Sequence, residues 1–327
     1  MLRKRILSGM RPTGKLHLGH LVGALESWVE LQEEYDNFHL VADWHALTTA
    51  YDRTDELIYN TREMVCDWLA AGIDPSKSPI FVQSHIHEHA ELHLILSMLV
   101  TLARLERNPA VKEQARALNL EDALSYGHLG YPVLQAADIL LYKGDLVPVG
   151  EDQVPHVEIS RELARRFNNL YGLVFPEPQA KLTQFKRLPG TDGQRMSKSI
   201  NNTILITDPP ETIAFKLRKM ITDPAKVHRG DQGHPDICPI FTLQLKFNPT
   251  AVDEIRSGCE SGALGCVEDK KNLAASLKEY LEPIWERRQP YEQNPDFVAQ
   301  VIEDGDQRAR KIAAATMAEV RSAMKLP

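Results

Sequence analysis

Through residues 1–105, short apolar runs alternate with longer stretches of helical periodicity, and that alternation leaves few ways for the chain to fold. Ile6-Leu7, residues 38–43 and residues 80–84 read as buried strands. Residues 21–31, 54–71 and 92–105 place apolar side chains at helical spacing. Strands this far apart in sequence cannot be joined by tight hairpins, so they pair in parallel through right-handed crossovers. Residues 147–149 add another strand-like run, closed by Gly150. The expected fold class is α/β, an open doubly wound parallel sheet. A polar, helix-prone segment over residues 106–130, broken at Asn108-Pro109, reads as an insertion, and the mostly helical remainder begins near residue 204.

Ligands of such sheets sit beyond the carboxyl ends of the strands. Gly9 to His20, Asp43 to His45 and Gln83-Ser84 all fall there. The first of these segments runs through a Pro12-Thr13-Gly14 turn into a helix whose first turn carries His17 and His20. A helix N-terminus favours phosphate, two imidazoles add donors, and Gly19 lets a ligand approach the backbone. The same residues would also suit a plain turn. His85, His87, His89 and His93 resemble a metal cluster in spacing, but they follow a strand end directly, where a solvated helix start is the expectation.

Further along, Tyr131, Gln135 and Asp138 fall at i, i+4 and i+7 on one helical stripe among apolar neighbours. A carboxylate between Ala and Ile must be satisfied, either by a ligand donor or within a buried pair. Gly150-Glu151-Asp152-Gln153 opens the next helix with acidic residues in its first turn. Residues 189–200 hold two glycines, a proline and Arg195, Lys198 and Ser199, which taken alone describes a mobile basic surface loop.

Composition sets outer limits. With 327 residues and 43% hydrophobic content the chain has ample material for a core, and its net charge of −7 means that any nucleic acid must be held by local basic patches. No apolar run reaches the roughly 18 residues of a membrane span, so a cytoplasmic location without membrane contact is expected. Cys66, Cys238, Cys259 and Cys266 are too uneven for a disulfide framework.

His17-Leu18-Gly19-His20 and Arg195-Met196-Ser197-Lys198-Ser199 resemble the two signatures of the class I aminoacyl-tRNA synthetases. Residues 8–14, 42–48, 131–142 and 147–153 extend the resemblance over nearly the whole chain. It points to the tryptophanyl/tyrosyl subclass, with the bacterial tryptophanyl branch the most similar. Leu18 stands for Ile and Arg195 for Lys, the latter exchanging a point ammonium for a wide fork.

The resemblance implies a Rossmann-like catalytic domain over 1–203, with the insertion and a mobile loop at 189–200, and a helical tRNA- and anticodon-binding domain over 204–327. It implies ATP with Mg2+, L-tryptophan and tRNA(Trp) as partners, a homodimer, and no DNA. His17, His20, Arg195 and Lys198 would be catalytic. Arg11, Thr13, Gly19, Gly150, Asp152, Met196 and Ser197 would join them in holding ATP. Leu7, Gly9, His45, Tyr131, Gln135, Asp138, Ile139 and Gln153 would line the amino-acid pocket, with Asp138 accepting the indole N–H. Tyrosyl relatives carry a tyrosine where Leu7 stands, which favours tryptophan. Some relatives hold a [4Fe–4S] cluster on four cysteines; here Cys238, Cys259 and Cys266 would be met by Asp269 in place of the fourth, leaving a vestigial site the stronger expectation. The competing readings are a tyrosine enzyme, a nucleotidylyltransferase and a non-catalytic RNA-binding relative.

Overall fold

The computed structural model describes residues 3–117, 124–150, 153–182, 188–228 and 230–327. The chain divides into two compact units. One comprises Met1–Gly14, Ala24–Gln184 and Tyr291–Pro327, and the other comprises Lys15–Gly23 and Phe185–Pro290. The boundary expected after residue 203 falls inside the second unit, and the last helix belongs to the first.

The first unit is built on five parallel strands: β1 (Arg5–Met10), β2 (Asp36–Val41), β3 (Ile80–Val82), β4 (Leu146–Val149) and β5 (Gln179–Leu182). They lie in the order β3-β2-β1-β4-β5. The doubly wound sheet expected from the alternation is therefore present, and its order reverses between β1 and β4, where such sheets open a crevice. Along β2, alternate side chains serve different faces. Phe38 and Leu40 enter the main core with Leu92, Leu96, Leu140 and Phe167. His39 stacks on Trp28 at 4.9 Å between ring centroids, with Trp68 at 6.2 Å.

His39 is fully buried, its two ring nitrogens have no hydrogen-bond partner among the described residues, and burial lowers its pKa to about 3. The folded value lies below the unfolded one, so this contribution to stability is complete above about pH 6.5 and is lost as pH falls, at ~1.4 kcal/mol per unit. His39→Phe keeps a stacked ring without a titrating group. Urea unfolding at about pH 7.5 and about pH 5.5 should show ~1.4 kcal/mol less stability from this source at the lower pH, and none of that loss in the variant.

The helix Pro295–Met324 packs its backbone against β3. A Cβ on Gly305 would lie 1.8 Å from the carbonyl oxygen of Ile80. Asp306 accepts the Val82 N–H at 3.0 Å and pairs with His85 Nδ1 at 2.6 Å. Arg308 donates to the Pro75 carbonyl, Arg310 to the His85 carbonyl, and Arg321 forms a two-pronged pair with Glu91. These arginines, which sequence alone would offer to a nucleic-acid backbone, tie the end of the chain to the sheet.

Candidate active site

In the first unit, the segments after β2 and β3 pack against the helix Tyr131–Leu141. Asp138, only 3% exposed, is held from three directions. Oδ1 accepts Gln83 Nε2 at 2.8 Å and His89 Nδ1 at 2.6 Å, and Oδ2 accepts His45 Nε2 at 2.8 Å. His89 Nε2 lies 2.9 Å from the Tyr142 hydroxyl. One proton assignment satisfies this set: Tyr142 O–H donates to His89 Nε2, and both imidazoles donate to the carboxylate. Burial alone would raise the Asp138 pKa, but the hydrogen bonds from His45 and His89 overcome it and hold the group well below the usual carboxylate range. The anion therefore persists in an apolar setting and keeps acceptor capacity beyond its three bonds.

His89 corrects the expectation of a solvated helix start. It is 0% exposed, because Phe81 and Tyr142 close over it from strand and helix. His85 and His87 do lie toward solvent. Gln83, also fully buried, accepts the His45 N–H at 3.3 Å through Oε1. Neither Gln83 nor Tyr142 carried a chemical signal in the sequence beyond its place near a strand end or a helix end.

Tyr131 sits edge-on between His45 at 4.7 Å and His156 at 5.0 Å. On the same stripe, the buried Oε1 of Gln135 has no hydrogen-bond partner among the described residues, and neither has Nδ1 of His45. Leu7 and Ile139 are buried in the core, both close to Gly144. At Gly9 a Cβ would fall 2.8 Å from the Leu40 carbonyl, so the strand end stays bare. Arg11 reaches Thr49 at 3.5 Å, Thr13 is exposed beside it, and Gly150 accepts the Gln153 N–H at 3.0 Å. Asp152 lies outside the described residues.

The second unit holds both signatures. His17 caps the helix Leu18–His20, which continues as the π-helical turn Leu21–Leu25. His17 Nδ1 accepts the Gly19 N–H at 3.1 Å, and His20 Nδ1 accepts the His17 N–H at 3.2 Å. A neutral ring with an accepting Nδ1 carries its proton on Nε2. Burial, with Lys198 and Arg195 nearby, lowers the His17 pKa to about 4. Gly19 is required because a Cβ there would meet the His17 ring at 2.9 Å.

Residues 188–196 form a small hairpin, with Gly190 N–H bonded to Gln194 O at 2.7 Å and Met196 N–H to Leu188 O at 3.1 Å. Gly193 has φ +78 and turns the chain. Gly190 leaves room for Asn202. Both glycines thus have packing reasons for being there. Met196 is buried, Lys198 half-buried and Arg195 exposed. After the loop, Ile204 accepts the Leu18 N–H at 3.0 Å and Leu16 accepts the Ile206 N–H at 3.0 Å, so the segment that follows the second signature is paired backbone to backbone with the first.

A family model described as tRNA synthetases class I (W and Y) matches residues 3–282. The chain belongs to this family. It is 53% identical to the tryptophan–tRNA ligase of Thermotoga maritima, across 98% of this chain and 99% of that one. It is 44% identical to the corresponding ligase of Aquifex aeolicus, across 99% and 100%. Among solved structures, the tryptophanyl-tRNA synthetase of Campylobacter jejuni complexed with ADP and tryptophan superimposes with a TM-score of 0.87 at 33% identity, covering 98% of this chain and all of that one.

Cys238 is buried, and Cys259 and Cys266 are half-buried. Among the described residues, no three His, Cys, Asp or Glu side chains are grouped so as to hold a metal ion. The Lys226 ammonium lies among the cysteines, donating to the carbonyls of Cys259 at 3.0 Å and Leu264 at 2.9 Å and standing 3.8 Å from Cys259 Sγ. Asp269 accepts Gln244 Nε2 at 2.7 Å instead of facing a metal. Burial raises the pKa of Cys238 and of Cys259. Among the described residues, no helix is long and apolar enough to cross a membrane.

Proposed function

We propose that this synthetase activates L-tryptophan with MgATP, giving tryptophanyl-adenylate and pyrophosphate, and then passes the tryptophanyl group to the 3′ end of tRNA(Trp). The observation that carries the choice of amino acid is Asp138: an ionised, triply held carboxylate in an apolar slot is matched by a donor-only indole N–H. Leu7, a purely apolar side chain on β1, offers a phenol no polar partner. Gln135 Oε1, which lacks a partner among the described residues, suits the substrate ammonium, with Tyr131 and Gln153 assigned to the same end of the substrate. Gly9, His45 and Ile139 complete the pocket.

The tryptophan carboxylate oxygen attacks the α-phosphorus of ATP, the P–O bond to the β-phosphate breaks, and pyrophosphate leaves with its electrons. No protein nucleophile is required. Positioning contributes up to ~7–11 kcal/mol in such reactions, and fixed charges supply the rest. His17 and His20 donate through Nε2–H to phosphate oxygens, with Gly19, Arg11 and Thr13 leaving room and adding donors. Arg195 and Lys198 neutralise the departing pyrophosphate, with Met196 and Ser197 shaping the loop. Gly150 and Asp152 take the ribose. The magnesium ion arrives with ATP, as part of the substrate.

His17 has to remain neutral to keep its cap on Gly19, and its lowered pKa secures this. In an exchange assay against pH, His17 should contribute no inflection between about pH 6 and 8 and should reduce activity only as pH falls toward about 4.

Tyrosine shares the fold and the chemistry, so ATP–pyrophosphate exchange with each amino acid tests the reading directly. Exchange with tryptophan alone supports it; exchange with tyrosine alone overturns the role given to Asp138. For tRNA, Arg218 and Lys219 are exposed on the helix Pro210–Lys219 and flank Phe215. The exposed run Leu94, Met98 and Leu102 beside the insertion favours a homodimer, and the proposed location is the cytoplasm.

A further inference from the structure

Asn202 is 2% exposed and lies outside both signatures, yet the hairpin is organised around it. Its Oδ1 accepts the Ser197 N–H at 2.7 Å. Its Nδ2 donates to Asp192 Oδ1 at 2.7 Å and to the Arg195 carbonyl at 3.0 Å. Its own carbonyl accepts the Thr191 N–H at 2.9 Å. Both hydrogens of the amide are used and its oxygen is engaged, so the side chain has a fixed orientation. The fit is close: a Cβ on Gly190 would lie 2.3 Å from Asn202 Cγ. Asn201, immediately before, takes φ 52, a left-handed turn that delivers Asn202 beneath the loop. The chain then runs straight into the Ile204 and Ile206 pairing with Leu18 and Leu16.

We propose that Asn202 is a positioning residue for adenylate formation. It latches the tip of the hairpin at Asp192, the Arg195 carbonyl and the Ser197 amide into one body, and so sets where Arg195 and Lys198 present their charges relative to His17 and His20. It touches no substrate itself. The inference rests on the phosphate roles proposed for those four residues.

The chemistry of the latch distinguishes conservative substitutions. Asp192 uses the single oxygen Oδ1 for both Asn202 Nδ2 and the Gln194 N–H, so Asp192→Asn retains both bonds. Asn202→Asp instead opposes a carboxylate to Asp192 and to the Arg195 carbonyl, and only a proton on that pair restores a donor.

The test is tryptophan-dependent ATP–pyrophosphate exchange by the full chain, with kcat and both KM values read separately. Asn202→Ala is expected to lower kcat about 10²-fold, the scale of a misplaced charged group, with KM for tryptophan unchanged and Asp192→Asn close to wild type. Asn202→Asp should recover activity as pH falls, a trend opposite in direction to acid inactivation and not produced by a merely structural defect. If the wild type exchanges normally while Asn202→Ala keeps its kcat, or if Asn202→Asp shows no acid recovery, the latch is wrong. If the wild type supports no exchange with any amino acid, the functional reading itself fails and the latch with it.

Discussion

Asp138→Asn is expected to lower kcat/KM for tryptophan by about three orders of magnitude, ~4 kcal/mol, while leaving KM for ATP unchanged. The carboxylate accepts from Gln83, His89 and His45 at once. An amide keeps one accepting oxygen and turns an N–H2 toward donors that already point inward. Both the proposed indole acceptor and the preset order of the two imidazoles are lost together. Steady-state exchange kinetics measure the effect, and a melting curve within a few degrees of wild type shows that it arises in the pocket. A tryptophan KM that stays within twofold of wild type would mean that the indole nitrogen is bound elsewhere.

Gly305→Ala is expected to be the most damaging single-methyl change in the first unit. The added carbon would stand 1.8 Å from the Ile80 oxygen and 2.6 Å from its carbonyl carbon, and backbone cannot swing aside as a side chain does. The helix must lift from β3, and the Asp306 bonds to Val82 and His85 go with it. A loss of roughly 3–5 kcal/mol follows, at the upper end of point substitutions, and a fall in Tm of about 10 °C or more in differential scanning calorimetry. Ala substitution at Gly265, where a Cβ would meet nothing within 4 Å, is the natural control.

What could be read from the chain followed from the price of burying polarity. β1 to β4 were visible because apolar runs need a sheet to hide in. β5 was not, because Gln179–Leu182 sets two half-exposed residues between two exposed ones and has no apolar signature. Asp138 announced its burial because a carboxylate between Ala137 and Ile139 has nowhere else to go. His89 did not, since it sits in the polar run from His85 to Glu91 and the rings that enclose it come from Phe81 and Tyr142. Arg308, Arg310 and Arg321 looked like solvent-facing cations, because local sequence says nothing about distant carbonyls and carboxylates. Asn202 was silent for a similar reason: an asparagine after a left-handed turn is ordinary until the partners of its amide are known.

The coverage of β3 has a consequence for how the protein is made. Val82 finds its partner at Asp306, more than two hundred residues downstream. A ribosome needs on the order of 20 s to translate that interval. Throughout it, the nascent sheet ends in an open strand, with the whole of residues 185–290 still to emerge. An unpaired strand edge is a template for a neighbouring chain. The hazard for this enzyme therefore falls during synthesis, on crowded polysomes, and ends only when the final helix arrives.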